Sequence, residues 1–180
     1  LYYDSIKRIE TTSAGARVSG TTFEITDTGD VDLILNADTD NTDESHNPSI
    51  QFRQDGGSTH LKIGLEGSAG TIYSNSGGNT PYILTTSSTN LHLGTNNSAK
   101  WQITTGGHFN PMADNSYDIG SASTRVRNIF TGDLHLSNKG SSNDVDGSWG
   151  DWTIQEGESD LFLKNNRSGK KYKFNLMEVS

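Results

Sequence analysis

The sequence contains no cysteine, which excludes disulfides, cysteine-based metal sites and thiol chemistry without fixing a compartment. It contains no long hydrophobic run. Nothing approaches the roughly 20 consecutive apolar residues that a bilayer-spanning helix needs, and no signal peptide is legible, so membrane insertion is not expected. A basic stripe is also missing: 14 Lys and Arg stand against 22 Asp and Glu, a net charge of −8. Nucleic acid, which is held by clustered cations, is therefore not an expected partner. The one basic cluster, Lys170, Lys171 and Lys173 beside Tyr172 and Phe174, reads as the solvent face of a strand. The deepest deficit is in apolar residues. Only 30% of the 180 residues are hydrophobic, where an independent globule carries about 45–50%. Leu1 stands where Met would open a complete chain, which leaves room for an upstream portion.

What is present is glycine, 20 residues of it, with abundant Ser, Thr and Asn, and short apolar pairs that alternate along almost the whole length. Moderate net charge and recurrent alternation argue against disorder. They favour an elongated β structure whose core is thin, or is completed by other copies of the chain. Residues 1–47 read as an N-terminal hairpin segment and an acidic loop. Tyr2, Ile6 and Ile9 lead into a turn at Thr11–Gly15 and out through Arg17-Val18. Phe23 and Ile25 then pair across Asp27-Thr28-Gly29-Asp30 with Val31, Leu33 and Leu35 as a second predicted hairpin. NADTDNTDESHN at 36–47 is surface loop.

Residues 48–112 form a repetitive β shaft, with apolar centres at Ile50/Phe52, Leu61/Ile63/Leu65, Ile72, Ile83/Leu84, Leu91/Leu93 and Trp101/Ile103. From Ile63 onward these fall about ten residues apart, as successive short strands do. Residues 113–137 are an elbow: a polar turn at Asp114–Ser116, Gly120, one short helical turn near 124–130 through Val126, Ile129 and Phe130, and a return to strand grammar in Leu134 and Leu136. Residues 138–180 read as a polar loop and a C-terminal three-stranded meander through Trp152–Ile154, Leu161–Leu163 and Tyr172–Leu176. It is too small to stand alone.

The segment LHLGTNNSAKWQITTGGHF at 91–109 resembles a unit common in tail fibres and related structural proteins of tailed bacteriophages. The elbow from Asn115 through Leu134, and WGDWTIQEGESDLFLKNNRSGKKYKFNLMEV at 149–179, are similar to the ends of such fibres, particularly those of marine and cyanobacterial phages. The resemblance covers roughly residues 90–180; the first ninety match in style alone. It implies a homotrimer with interleaved strands. Many relatives end in a helical, self-cleaving intramolecular chaperone, and no such segment is present here.

Candidate chemistry is sparse. Asp38, Asp40, Asp43 and Glu44 have the charge of a calcium loop but not its sixth-position glycine or twelfth-position glutamate. Asp144, Asp146 and Asp151 around Gly147 are similarly incomplete. His92 and His135 each sit between two leucines and point away from them. An axial placement in a trimer would gather three imidazoles for a metal ion, although the usual His-X-His pair is absent. No carboxylate pair suited to glycoside cleavage and no Ser-His-Asp pattern stands out, so no enzyme and no cofactor are expected. Trp101, Trp152 and Tyr117 alternate with apolar neighbours and read as packing residues. Trp149 does not, and together with Asn143 and Asp144 it is the candidate receptor contact, with anchoring of its loop the equal alternative for Trp149.

The expectation is an all-β, elongated, homotrimeric fibre of short antiparallel strands, β-sandwich or β-helix-like. The resemblance implies a structural phage protein on the virion surface, extracellular when functioning, that mediates host attachment. Its partners would be itself, other tail or capsid proteins, and a host surface glycan or protein. The alternatives are a virion part without receptor contact (capsid fibre, decoration or tail connector) and a polysaccharide-degrading tailspike.

Overall fold

A computed structural model of the chain describes residues 2–3, 5–20, 22–42 and 45–179. Among these residues all regular structure is β-strand in small antiparallel sheets, and there is no helix. The chain divides into two compact units, Leu1–Ser87 and Ser88–Ser180.

The first unit opens with the short pair β1 (Tyr2–Tyr3) and β2 (Ile6–Lys7), followed by the hairpin of β3 (Ile9–Thr12) and β4 (Gly15–Val18). Thr12 Oγ1 accepts from the Ala14 amide at 3.2 Å and Gly15 takes φ 129°, so the turn falls where the sequence placed it. A three-stranded sheet follows, β5 (Ser49–Gln54), β6 (Ser58–Glu66) and β7 (Thr80–Thr85) in sequential order. Its register aligns Ile50 with Ile63 and Ile63 with Ile83, Phe52 with Leu61, and Leu65 with Pro81. Because directly opposed residues share a face, one face of this sheet is apolar except for Thr85 opposite Leu61, and it is open: Ile63 is 38% and Ile83 63% exposed. The other face carries Ser49, Gly64, Glu66 and Tyr82, and residues 67–79 cover it, with Tyr73 edge-on to Tyr82 at 5.5 Å. The usual polarity of a half-solvated sheet is reversed within the single chain.

The second unit repeats the pattern. β8 (Leu91–Thr95), β9 (Ser98–Ile103) and β10 (Phe109–Pro111) align Leu91, Ile103 and Phe109 in one row and Leu93, Trp101 and Pro111 in the next. Trp101 stacks on Phe109 at 4.7 Å and lies 6.1 Å from Tyr117. The opposite face carries His92, Gln102 and Asn110. β11 (Leu134–Ser137), β12 (Asp151–Glu156), β13 (Leu161–Asn165) and β14 (Lys171–Lys173) form a four-stranded sheet with the row Leu134, Ile154, Leu163, Tyr172, and Leu136 beside Trp152. The elbow's exit strand thus joins the predicted meander as its fourth member.

Three expectations are corrected. Phe23–Leu35 forms no hairpin: residues 22–36 carry no ladder, bend at Thr28-Gly29, and are exposed at every position, Phe23 to 68% and Leu33 to 63%. The alternation is that of a strand, but no strand among the described residues pairs with it. Ile72 lies in the 67–79 crossing loop rather than in a strand. The helical turn near 124–130 does not form. Ser121 instead closes a local turn, its amide donating to Thr124 O at 2.7 Å and its Oγ accepting from the Thr124 amide at 3.0 Å. Ser and Thr side chains compete with the helical backbone in this way. A single helical turn also needs packing to offset its nucleation cost, and Phe130 is 93% exposed.

The result is a chain with little interior. Among the described residues Tyr82 is the one buried hydrophobic side chain. The chain exposes 14992 Å², whereas a compact 19.5 kDa monomer exposes about 8,500 Å² and two separate globules of half that mass together about 10,300 Å². Counting the two units independently therefore still leaves an excess of about 4,700 Å².

Gly64 is where strand β5 and the covered face of the sheet meet most tightly. A Cβ there would lie 2.5 Å from Pro48 O and 2.9 Å from the Tyr82 hydroxyl, whereas one at Gly132 would meet nothing within 4 Å. Gly64→Ala is expected to lower stability by about 1–3 kcal/mol in chemical denaturation and Gly132→Ala by less than about 0.5 kcal/mol. Equal effects would refute this packing.

Candidate functional site

The most organised surface element is the loop joining β11 to β12. Asn138 forms its neck, accepting from the Gly150 amide at 2.6 Å through Oδ1 while its own amide donates to Gly150 O at 3.3 Å. Further out, Asn143 Oδ1 accepts from the amides of Val145 (2.8 Å) and Asp146 (3.0 Å), and Asn143 Nδ2 donates to Asp146 Oδ1 and to Ser148 O, both at 2.7 Å. Asp146 Oδ1 also accepts from the Ser148 hydroxyl at 2.7 Å and amide at 2.9 Å. This satisfaction of the ionised form by Ser148 and Asn143 takes the Asp146 carboxyl down from 3.8 to about 2. Asn and Asp are used here as they are in turns generally, to bind nearby backbone. Asp144 is exposed beside this framework, and Val145, 91% exposed, forms the tip.

Trp149 is half-buried rather than free. The Arg167 guanidinium lies 3.8 Å from its ring centre and Arg167 Nη1 donates to Trp149 O at 2.6 Å. Arg167 is itself fixed by the turn after β13, where Asn165 Oδ1 accepts from the amides of Arg167 and Ser168, both at 3.0 Å. One ring face is therefore occupied by a cation–π contact. Asn143 and Trp152, together with Leu136, Ser137, Asn138 and Gly150, line an open groove of about 400 Å³. A second concavity of about 660 Å³ is lined by Asp114, Asn115, Ser137, Asn138, Lys139 and Gly140. Of the three sequence candidates, Asn143 lines the groove, Asp144 stands at the tip, and Trp149 serves as an anchor. Asn138 and Arg167 went unnoticed in the sequence. The Asn at a loop neck and the Arg in the facing turn carry no local pattern that would distinguish them.

Among the described residues no three His, Asp or Glu side chains converge as a cation site. Asp43 and Glu44 lie outside the described residues. Asp38 Oδ1 accepts from the Thr42 amide at 3.3 Å and lies 3.8 Å from His46 Nδ1, while Asp40 Oδ1 accepts from the Thr42 hydroxyl at 3.1 Å. These contacts build a turn. Asp151 Oδ1 accepts from Asn166 Nδ2 at 2.9 Å. His135 Nδ1 shares a hydrogen bond with Thr153 Oγ1 at 3.1 Å, where Asn166 Nδ2 also donates at 2.9 Å. His92 projects from its sheet's polar face, opposite Gln102.

A carboxylate that the sequence reading passed over is Glu66, fully buried at the end of β6. Its Oε1 accepts from the amides of Thr71 (2.7 Å) and Ile72 (2.8 Å) and from the Thr71 hydroxyl at 3.2 Å. Burial raises its pKa, but the Ser76 hydroxyl and these donors outweigh burial and hold it below the ordinary range. Ser76 Oγ donates to Tyr73 O at 3.1 Å and leaves Oε2 without a formed hydrogen bond, so its influence on Glu66 is that of a nearby dipole. Glu66 is the peg on which the 67–79 crossing hangs, which is a structural task.

Compared with protein-family models, with curated proteins and with solved structures, the chain matches none.

Because the folded Asp146 pKa is depressed, the loop gains stability from the ionised carboxylate above the ordinary value of 3.8 and loses it as pH falls towards about 2. In a carboxyl-detected NMR titration the Asp146 resonance is expected to move at about pH 2, with the Ser148 amide shifting in parallel. A midpoint near 3.8 would show that the loop is not organised around this carboxylate.

Proposed function

We propose that the chain is a subunit of a homotrimeric, fibre-like structural protein of a tailed bacteriophage, displayed on the particle surface and used in attachment to the host cell. The observation that carries this reading is the repeated inversion of its sheets. Each of the three larger sheets has one mainly polar face, with Leu84 and Phe162 as apolar members, and leaves much of its apolar face exposed. A chain of this kind completes its core with copies of itself, because a closed symmetric assembly covers the same stripes on every subunit. The alternation of short strands with Gly, Asn and Ser turns suits a shaft that carries load along its length. The sequence likeness to phage fibres over roughly residues 90–180 supplies the biological setting.

Attachment in this reading is adhesive. The β11–β12 loop, its groove and the exposed tip at Asp144 and Val145 are the part of the second unit best organised for contact with a host glycan or protein. Three identical weak sites on one rigid body reinforce each other by raising effective concentration. Single chains should fold poorly, since their open apolar faces do not offset backbone ordering at roughly 1–2 kcal/mol per residue.

Light scattering on the purified chain is expected to give a species near three times 19.5 kDa that holds together on dilution until it unfolds. A folded monomer of 19.5 kDa would overturn the shared core and with it the fibre. Labelled protein should bind a subset of a bacterial panel. Asn143→Ala with Asp144→Ala should weaken that binding about tenfold or more at unchanged mass, as loss of polar contacts at three linked sites would. A trimer that binds no cell would exclude receptor contact and leave a purely structural virion role.

A further inference from the structure

The first unit contains two exposed apolar surfaces that do not cover each other. One is the unpaired segment 22–36, in which Phe23, Ile25, Val31, Leu33 and Leu35 fall on alternate positions and Glu24 and Asp32 on the others, together with Ile34. The other is the open face of the β5–β6–β7 sheet, centred on the row Ile50, Ile63, Ile83. We infer that, in the assembled protein, segment 22–36 of one copy lies across the open β5–β6–β7 face of a neighbouring copy, a head-to-tail contact that closes around the symmetry axis.

The inference rests on the self-assembly reading above, and charge selects the occupant. Packing the 22–36 segments against one another would gather Glu24, Asp27, Asp30 and Asp32 from every copy, and like charges so placed repel. The sheet face carries no charged side chain in its aligned rows, so a strand laid on it with Phe23 and Leu33 inward turns Glu24 and Asp32 to solvent. The dimensions agree as well. The arms of the segment on either side of the Asp27–Asp30 bend, residues 22–26 and 31–36, reach about 16 and 20 Å when extended, enough for each to cross three strands spaced about 4.8 Å apart. The area agrees in scale: an excess of about 4,700 Å² per chain exceeds the roughly 800 Å² per partner of a standard interface and falls in the range of obligate assemblies. A heterologous contact of this kind closes into a ring when its rotation allows.

The test is photo-cross-linking in the assembled protein. With Leu33→p-benzoylphenylalanine, irradiation is expected to yield covalent dimers on a denaturing gel. Peptide mapping of that band should find the attachment within Ser49–Gln54, Ser58–Glu66 or Thr80–Thr85. If that variant fails to assemble, the probe is placed at Ile83, and the dimer band should carry attachments within residues 22–36. Dimers linked 22–36 to 22–36, links to other strands, or intrachain links alone would each overturn the inference while the oligomer stands. A wild-type chain that runs as a monomer overturns it together with the trimer.

Discussion

The segregation of side chains across each sheet constrains everything else in this molecule. In a monomeric half-buried sheet the apolar face is the one that the chain's own loops and layers cover. Here the crossing loop 67–79 lies on the face of Glu66 and Tyr82, and the Asn166, Asp151 and His135 contacts surround Thr153 on the polar side of the β11–β14 sheet. The chain uses its polar groups to fix its own turns and leaves its apolar rows unused. In the proposed assembly the missing hydrophobic contribution would come from contacts between copies.

The proposed assembly would account for the composition. A protein that buried its apolar rows inside each chain would need two layers, and so close to the usual apolar fraction. When copies of one chain supply both layers, a single apolar face per sheet suffices, and 30% hydrophobic content is enough. The same logic accounts for the turns. Asn75, Asn79, Asn96, Asn97 and Asn115 all take positive φ, a conformation that asparagine tolerates better than other residues with a Cβ. These turns hold short strands in register without drawing on a core.

Period-two alternation was legible in the sequence wherever a neighbouring strand existed to receive it. The Ile9–Val18 hairpin, the rows through Ile50, Ile63 and Ile83, and the Leu91–Ile103 hairpin all read through as ladders, the hairpins because tight turns fixed the register locally. Phe23–Leu35 carried the same signal and failed, because alternation reports which face is apolar and says nothing about whether a partner strand lies alongside. At 124–130 the spacing of Val126, Ile129 and Phe130 suggested a helix, but Ser121 and Thr124 captured the backbone first. The loop site was half legible. Gly and Asp marked the loop, whereas Arg167, which clamps Trp149 from a separate turn, is joined to it only by the fold.

The position of the histidines follows from the same segregation. His92 shares a face with Gln102 and Asn110, and His135 one with Thr153, while the leucines on either side of each lie in the apolar rows. If the apolar faces are turned towards neighbouring copies, both imidazoles are turned away from them. Three copies of either residue would then stand on the outside of the assembly, too far apart to share a metal ion. An axial metal would require the polar faces inward and the isoleucine and leucine rows in water, which forfeits about 25 cal/mol for every Å² of apolar surface left exposed. In that proposed packing burial favours the orientation in which neither histidine is axial, while within the chain His135 braces Thr153 in the C-terminal sheet.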